Sequence, residues 1–147
     1  MTFLAAEQLI IDRLNAVKLT GVTVYSADEL ADIEENSQYT PAYHVVYNGY
    51  TQPDDDTGIG ILQLPQEWLV IVAVRNYTQT LRGQDKRIDA DLLCDNVLEN
   101  MVGYKLSTKH KELKLVSAPQ ALQNGAFAYY PFAFQTNINI RGVCKNG

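Results

Sequence analysis

Cysteine is nearly absent from this chain. Cys94 and Cys144 are the only two, they lie far apart, and neither belongs to a CxxC pair or a Cys/His cluster, so a zinc site is not expected. A long hydrophobic run is missing as well. The longest, Trp68 to Val74, is far too short to span a bilayer, and no membrane partner is expected. Met1 to Glu7 carry neither a basic segment nor a long apolar stretch, which argues against a signal peptide and for folding in a cytoplasm. Positive charge is not in excess: 12 Lys and Arg stand against 17 Asp and Glu. A dominant role in gripping nucleic acid, which needs a concentrated basic surface, is thereby disfavoured. Phosphate-binding loops are also lacking. Gly58-Ile59-Gly60 supplies two glycines, but neither GxGxxG nor GxxxxGK[ST] follows. Asp54-Asp55-Asp56-Thr57-Gly58 begins like a calcium loop. An EF-hand needs Gly at position six and Glu at position twelve, where this chain has Ile59 and Pro65. No cofactor and no metal are expected.

What remains is the material of a folded domain. The chain has 147 residues, 46% of them apolar, enough for a single domain, 1–147, that needs no disulfide to bury a core. Phe3 to about Val17 has helical period, with Phe3, Ala6, Ile10, Leu14 and Val17 on one face, Leu9 beside them and Thr2 as the N-cap. Gly21 follows it, and Val22 to Tyr25 reads as a short strand. Ser26 to about Glu34 reads as a capped, acidic short helix. Tyr43 to Tyr47 is a second strand, closed by an Asn48-Gly49 turn, and residues 50–62 read as a loop. Trp68 to Val74 is apolar without alternation, the mark of a strand covered on both faces and hence central. From about Asp85 a second long helix places Ala90, Leu93, Cys94, Val97, Leu98 and Met101 on one face, and Gly103 closes it. Leu113 to Ala118 is extended, stopped by Pro119. Phe127 to Arg141 alternates, Tyr130, Phe132, Phe134, Thr136, Ile138 and Ile140 against a polar set, with Pro131 marking an edge or a bulge. The fold class expected is α+β: a two-layer, mixed and largely antiparallel sheet with the two long helices on one face.

No catalytic constellation stands out in the sequence. His44 sits within a strand and His110 within Lys109-His110-Lys111, neither beside a suggestive nucleophile; Cys94 lies on an apolar helix face. An enzyme would need a site assembled from distant residues, for example Glu67, His44 and Asp85, in a deep carboxylate-lined pocket. The charge is uneven instead. Residues 1–60 hold ten carboxylates against Arg13 and Lys18, a net of −8, whereas residues 61–147 hold ten Lys and Arg against seven Asp and Glu, a net of +3. An acidic face of one copy meeting a basic face of the next would build a ring. The candidates for such surfaces are the loop with Asp54, Asp55, Asp56, Gly58 and Gly60, the basic connector with Lys109 and Lys111, and Tyr129 on the far side of the last strand.

The order of these features carries a resemblance. A leading helix, an acidic segment over Ala27 to Glu35, and Thr40-Pro41-Ala42 entering a strand come first. A polar loop, the buried strand Trp68 to Arg75, a helix, and the aromatic strand Tyr129-Tyr130-Pro131-Phe132-Ala133-Phe134 follow. Together they resemble the bacteriophage tail terminator proteins of lambda-like and Mu-like phages, over nearly the whole chain. The resemblance implies a structural virion protein, not an enzyme, assembled in the host cytoplasm. It implies a homohexameric ring at the head-proximal end of the tail that stops tube polymerisation and offers a head-joining surface. The implied partners are its own copies, the tail tube with any sheath protein around it, and a head-completion or neck protein. DNA only passes through the lumen, where acidic character would let it slide. Another neck or tail-completion connector shares the size and fold class.

Overall fold

The computed structural model of the chain describes residues 3–27, 40–51, 54–56, 61–75, 83–124 and 127–141. Its elements run α1 (Ala5–Val17), β1 (Thr23–Ala27), β2 (Ala42–Tyr50), β3 (Asp54–Asp56), β4 (Ile61–Arg75), α2 (Gly83–Met101), β5 (Lys114–Val116), β6 (Leu122–Asn124) and β7 (Phe127–Arg141). The fold is α+β, as the periodicities require. One sheet contains all the strands in the order β1-β2-β4-β7-β5, with β3 added to β4 and β6 to β7. Among the described residues only the β1–β2 pair is parallel; the other strand pairs are antiparallel.

The axis of the sheet is the β4–β7 pair. It runs in unbroken register from Ile61 opposite Arg141 to Arg75 opposite Phe127. Fifteen residues per strand at ~3.4 Å each make a ribbon about 50 Å long. The apolar run Trp68 to Val74 therefore does lie in a central strand, flanked by β2 and β7. On each side of the ribbon lies a strand in pieces. β2 and β3 run in sequence along β4, joined by the bond from the Thr51 amide to the Pro65 carbonyl, 3.0 Å. β5 and β6 run along β7, and the intervening 117–121 are exposed. Pro131 sits in the stretch of β7 between its partners in β6 and β5, so its missing N–H removes no bond there; the edge position is the correct reading and β7 does not bulge against β4.

The two sheet faces bury different sets. Tyr43, Val45, Trp68, Val70, Val72 and Phe134 share one cluster with Ala6, Ile10 and Leu14 of α1 and Leu93, Val97 and Met101 of α2. Both helices thus pack on one face. The alternate positions, Val46, Leu69, Ile71, Ala73, Tyr129 and Ala133, form a second buried cluster. This corrects the expectation that β7 carries one polar face. Over its first half both of its faces are apolar and covered, and a polar alternation survives only toward Asn139, which is exposed.

Other expectations are corrected by local geometry. Helix α1 starts at Ala5 with Leu4 at the N-cap and no side-chain cap bond. Phe3 lies outside it, its ring edge-on to Tyr47 at 5.8 Å. Ser26 does not open a helix; it belongs to β1, and its hydroxyl donates to Glu7 Oε1 at 2.7 Å. The rest of that proposed helix, 28–34, lies outside the described residues. Asn48-Gly49 does not end β2. The register shifts between Tyr47 and Tyr50, and Gly49 takes φ +90, the conformation a bulge needs and glycine supplies at no steric cost. Residues 50–62 are not all loop, because β3 folds back on Ile61–Gln63 of β4. A short-range turn signal cannot tell a bulge from a chain reversal when the partner strand is far away in sequence.

Candidate functional site

The sequence candidates fall into three places. Asp54, Asp55 and Asp56 are strand β3, on one edge of the sheet near the end of the ribbon. Gly58 and Gly60 lie outside the described residues. Lys109 and Lys111 lie on the opposite edge of that same end. There the connector after α2 makes a bridge between His110 and Ile138, and the Lys111 amide donates to the Asn137 carbonyl at 3.1 Å. Tyr129 is ten positions away along β7 from Asn139, ~34 Å at strand rise. It faces away from the helices and is 5% exposed, so it is packing the second cluster in the folded chain.

The connector is held firmly. Thr136 Oγ1 donates to the Lys111 carbonyl at 2.7 Å, the Leu113 amide donates to the Tyr104 carbonyl at 2.8 Å, and Leu106 and Leu113 are buried. His110 is buried, with Ser107 Oγ 2.7 Å from its Nδ1, and burial lowers its pKa. Its neighbours Lys105, Lys109, Lys111 and Lys114 are exposed. The Lys111 ammonium donates to Gln63 Oε1 at 3.1 Å, and Gln63 is the β4 residue opposite Asp54. The acidic and basic candidates, separate in sequence, are thus brought to one end of the ribbon. Neither periodicity nor motif could show this, because it depends on β3 pairing with β4 and on the connector returning along β7.

The residues of an assembled catalytic site do not converge. Glu67 and His44 share the face away from the helices, but His44 stands opposite Ile71, four positions from Glu67 along β4, ~13 Å at strand rise. Asp85 belongs to α2, on the other face. His44 is 2% exposed and stacks on Tyr25 at 5.3 Å. Its Nε2 finds no partner among the described residues, and burial pushes its pKa down to about 4. Burial, with Asp91 and Asp95 nearby, pushes the Cys94 thiol up to about 11. Both groups are held in their neutral, unreactive forms near neutral pH. Among the described residues no three His, Cys, Asp or Glu gather as a metal site, and no helix is long and apolar enough to cross a membrane.

One polar feature escaped the sequence reading altogether. Asn96, on the inner side of α2, accepts from the Tyr43 hydroxyl through Oδ1 and donates from Nδ2 to the Val17 carbonyl at 2.9 Å. It ties β2, α2 and the end of α1 together. Asn100 Nδ2 donates back to the Asn96 carbonyl at 2.8 Å. Arg13 Nε donates to the Asn100 carbonyl at 3.2 Å, and the Arg13 guanidinium lies 4.0 Å above the Tyr104 ring.

Fold and candidate site together define an α+β domain, with helices on one sheet face and with oppositely charged segments at the two edges of one sheet end. Its family is specific. The family model for the phage tail terminator protein matches residues 1–146, and the chain belongs to that family. A comparison with curated proteins finds no match. The family makes this chain a structural component of the phage tail and of the virion.

Proposed function

We propose that the protein forms a homohexameric ring that caps the head-proximal end of the tail tube, stops its polymerisation and presents the surface on which the head is joined. The observation that carries this reading is the family match over residues 1–146. The placement of acidic β3 and the basic connector on opposite edges of one sheet end supports it, because a subunit with unlike edges associates head to tail, and head-to-tail contacts close into rings. In this role the protein acts through its surfaces and not through catalysis. Its partners are its own copies, the tube with any sheath around it on one side, and a neck or head-completion protein on the other. DNA only crosses the lumen.

The test is to delete the gene in the source phage and image the tails. Overlong tails without heads are the expected outcome. Tails of normal length that fail to join heads would refute termination and assign the protein to neck completion.

A further inference from the structure

The end of the β4–β7 ribbon is a narrow strip of sheet with an unlike boundary on each side. A single row crosses it. The Thr51 amide bonds the Pro65 carbonyl at 3.0 Å, Pro65 stands opposite Asn137, and the Asn137 carbonyl accepts from the Lys111 amide. Three strand spacings make this row ~14 Å wide. On the Thr51 side the chain continues into β3, which pairs with β4 alone among the described residues and has the sequence Asp-Asp-Asp. On the Lys111 side stand four exposed lysines, 105, 109, 111 and 114.

Each of these two edges also exposes a large apolar residue. Tyr50, at the end of β2 and opposite Gln66, is 59% exposed, and Leu115 of β5, farther along its edge and opposite Phe134 at the middle of the ribbon, is 44% exposed. Large apolar side chains beside a strand edge that no described residue pairs with are a protein-contact signature, since such an edge is a template for another chain. The charge on each edge selects what fits it. The acidic edge suits a lysine-bearing edge and the basic edge a carboxylate-bearing one, and this chain carries both.

We infer that the subunits of the ring meet edge to edge at this end of the ribbon. The β3 edge of one copy, with Tyr50, docks on the connector and β5 edge of the next, with Lys109, Lys111 and Leu115. The occupant of each edge is a second copy of this chain. This inference deepens the ring reading and rests on it: like edges repel, unlike edges attract, and the contact repeats in one direction around a closed ring.

The test uses two full-length variants. In one, Asp54→Lys, Asp55→Lys and Asp56→Lys make both edges basic. In the other, Lys109→Glu, Lys111→Glu and Lys114→Glu make both edges acidic. Native mass measurement is made on each alone and on an equimolar mixture, with circular dichroism confirming that each is folded. The expected result is that neither variant assembles alone, whereas the mixture regains rings in which the two alternate. Variants that assemble alone as the wild type does would overturn the edge contact and leave the ring reading standing. Folded variants whose mixture stays monomeric would overturn it equally. A wild-type chain that remains monomeric both alone and with tail tubes would overturn both readings.

Discussion

Replacing Asn96 with alanine tests whether the two helices are locked to the sheet by polar bonds as well as by apolar packing. The substitution removes the acceptor for the Tyr43 hydroxyl and the donor to the Val17 carbonyl, leaving Tyr43 only the Leu93 carbonyl at 3.3 Å. Tyr43 is fully buried, and burial raises its pKa to about 12, so its hydroxyl stays protonated and continues to need a strong acceptor. A lost hydrogen bond costs about 1 kcal/mol net, and a buried group left unsatisfied about 1–3 kcal/mol. The sum for Asn96→Ala is roughly 2–4 kcal/mol, a large part of the ~5–15 kcal/mol that a domain has. Tyr43→Phe should cost less, roughly 1–2 kcal/mol, because it removes the more deeply buried partner and leaves an amide nearer the surface. The double variant should be milder than the sum of the two by about 1 kcal/mol, since each single change already breaks their shared bond. Urea unfolding at fixed chain concentration reads all three, and Trp68, the only tryptophan and fully buried, is the reporter. An Asn96→Ala cost below about 0.5 kcal/mol, or strict additivity, would refute the network.

Three further outcomes are expected. His44 has its pKa lowered from 6.5 to about 4, so the unfolded chain takes up the proton first as pH falls. Stability is complete above pH ~6.5, drops by about 2 kcal/mol on going from pH 7 to 5, and a His44→Leu variant should show that much less loss in urea titrations at the two pH values. Gly49→Ala should cost about 1–2 kcal/mol although a Cβ there meets nothing within 4 Å, because φ +90 alone is the strain; Gly49→Asn should cost less, and equal thermal midpoints for all three would contradict the bulge. In a Cys144→Ser background, Cys94 should react with iodoacetamide at neutral pH about 100-fold more slowly than an ordinary thiol, because burial and then Asp91 and Asp95 raise its pKa to about 11; a rate near that of free cysteine would show the thiol to be accessible and normal.

The local rules reached the elements that bury themselves by their own pattern. Ala6, Ile10 and Leu14 define α1, Ala90, Leu93, Val97 and Met101 define the inner side of α2, and the run Trp68 to Val74 is central as its composition requires. They failed where the partner is remote. Asp54 to Asp56 has no strand propensity, and it is extended because Ile61 to Gln63 pair with it. Asn48-Gly49 has the chemistry of a turn, but β4 continues past it and converts it to a bulge. Tyr129 and Ala133 read as the outward side of an amphipathic strand, yet a second apolar cluster claims them. The candidate surfaces were legible as charge but not as place: that Asp54 and Lys111 flank the same Gln63 is a consequence of sheet order, which no window of sequence contains.

The unbroken pairing of β4 with β7 has a consequence for how distance is kept within the subunit. Sliding one strand past the other by a single residue would exchange Trp68, Val70 and Val72 with Leu69, Ile71 and Ala73, which fill spaces of different size on the two faces. The register therefore has no nearby alternative. The tip at Ile61 and Arg141 and the far end at Arg75 and Phe127 are held at a fixed separation, as the two ends of a gauge block are. A chain built on such a bar can pass a displacement imposed at one end to the other without any part of it having to refold.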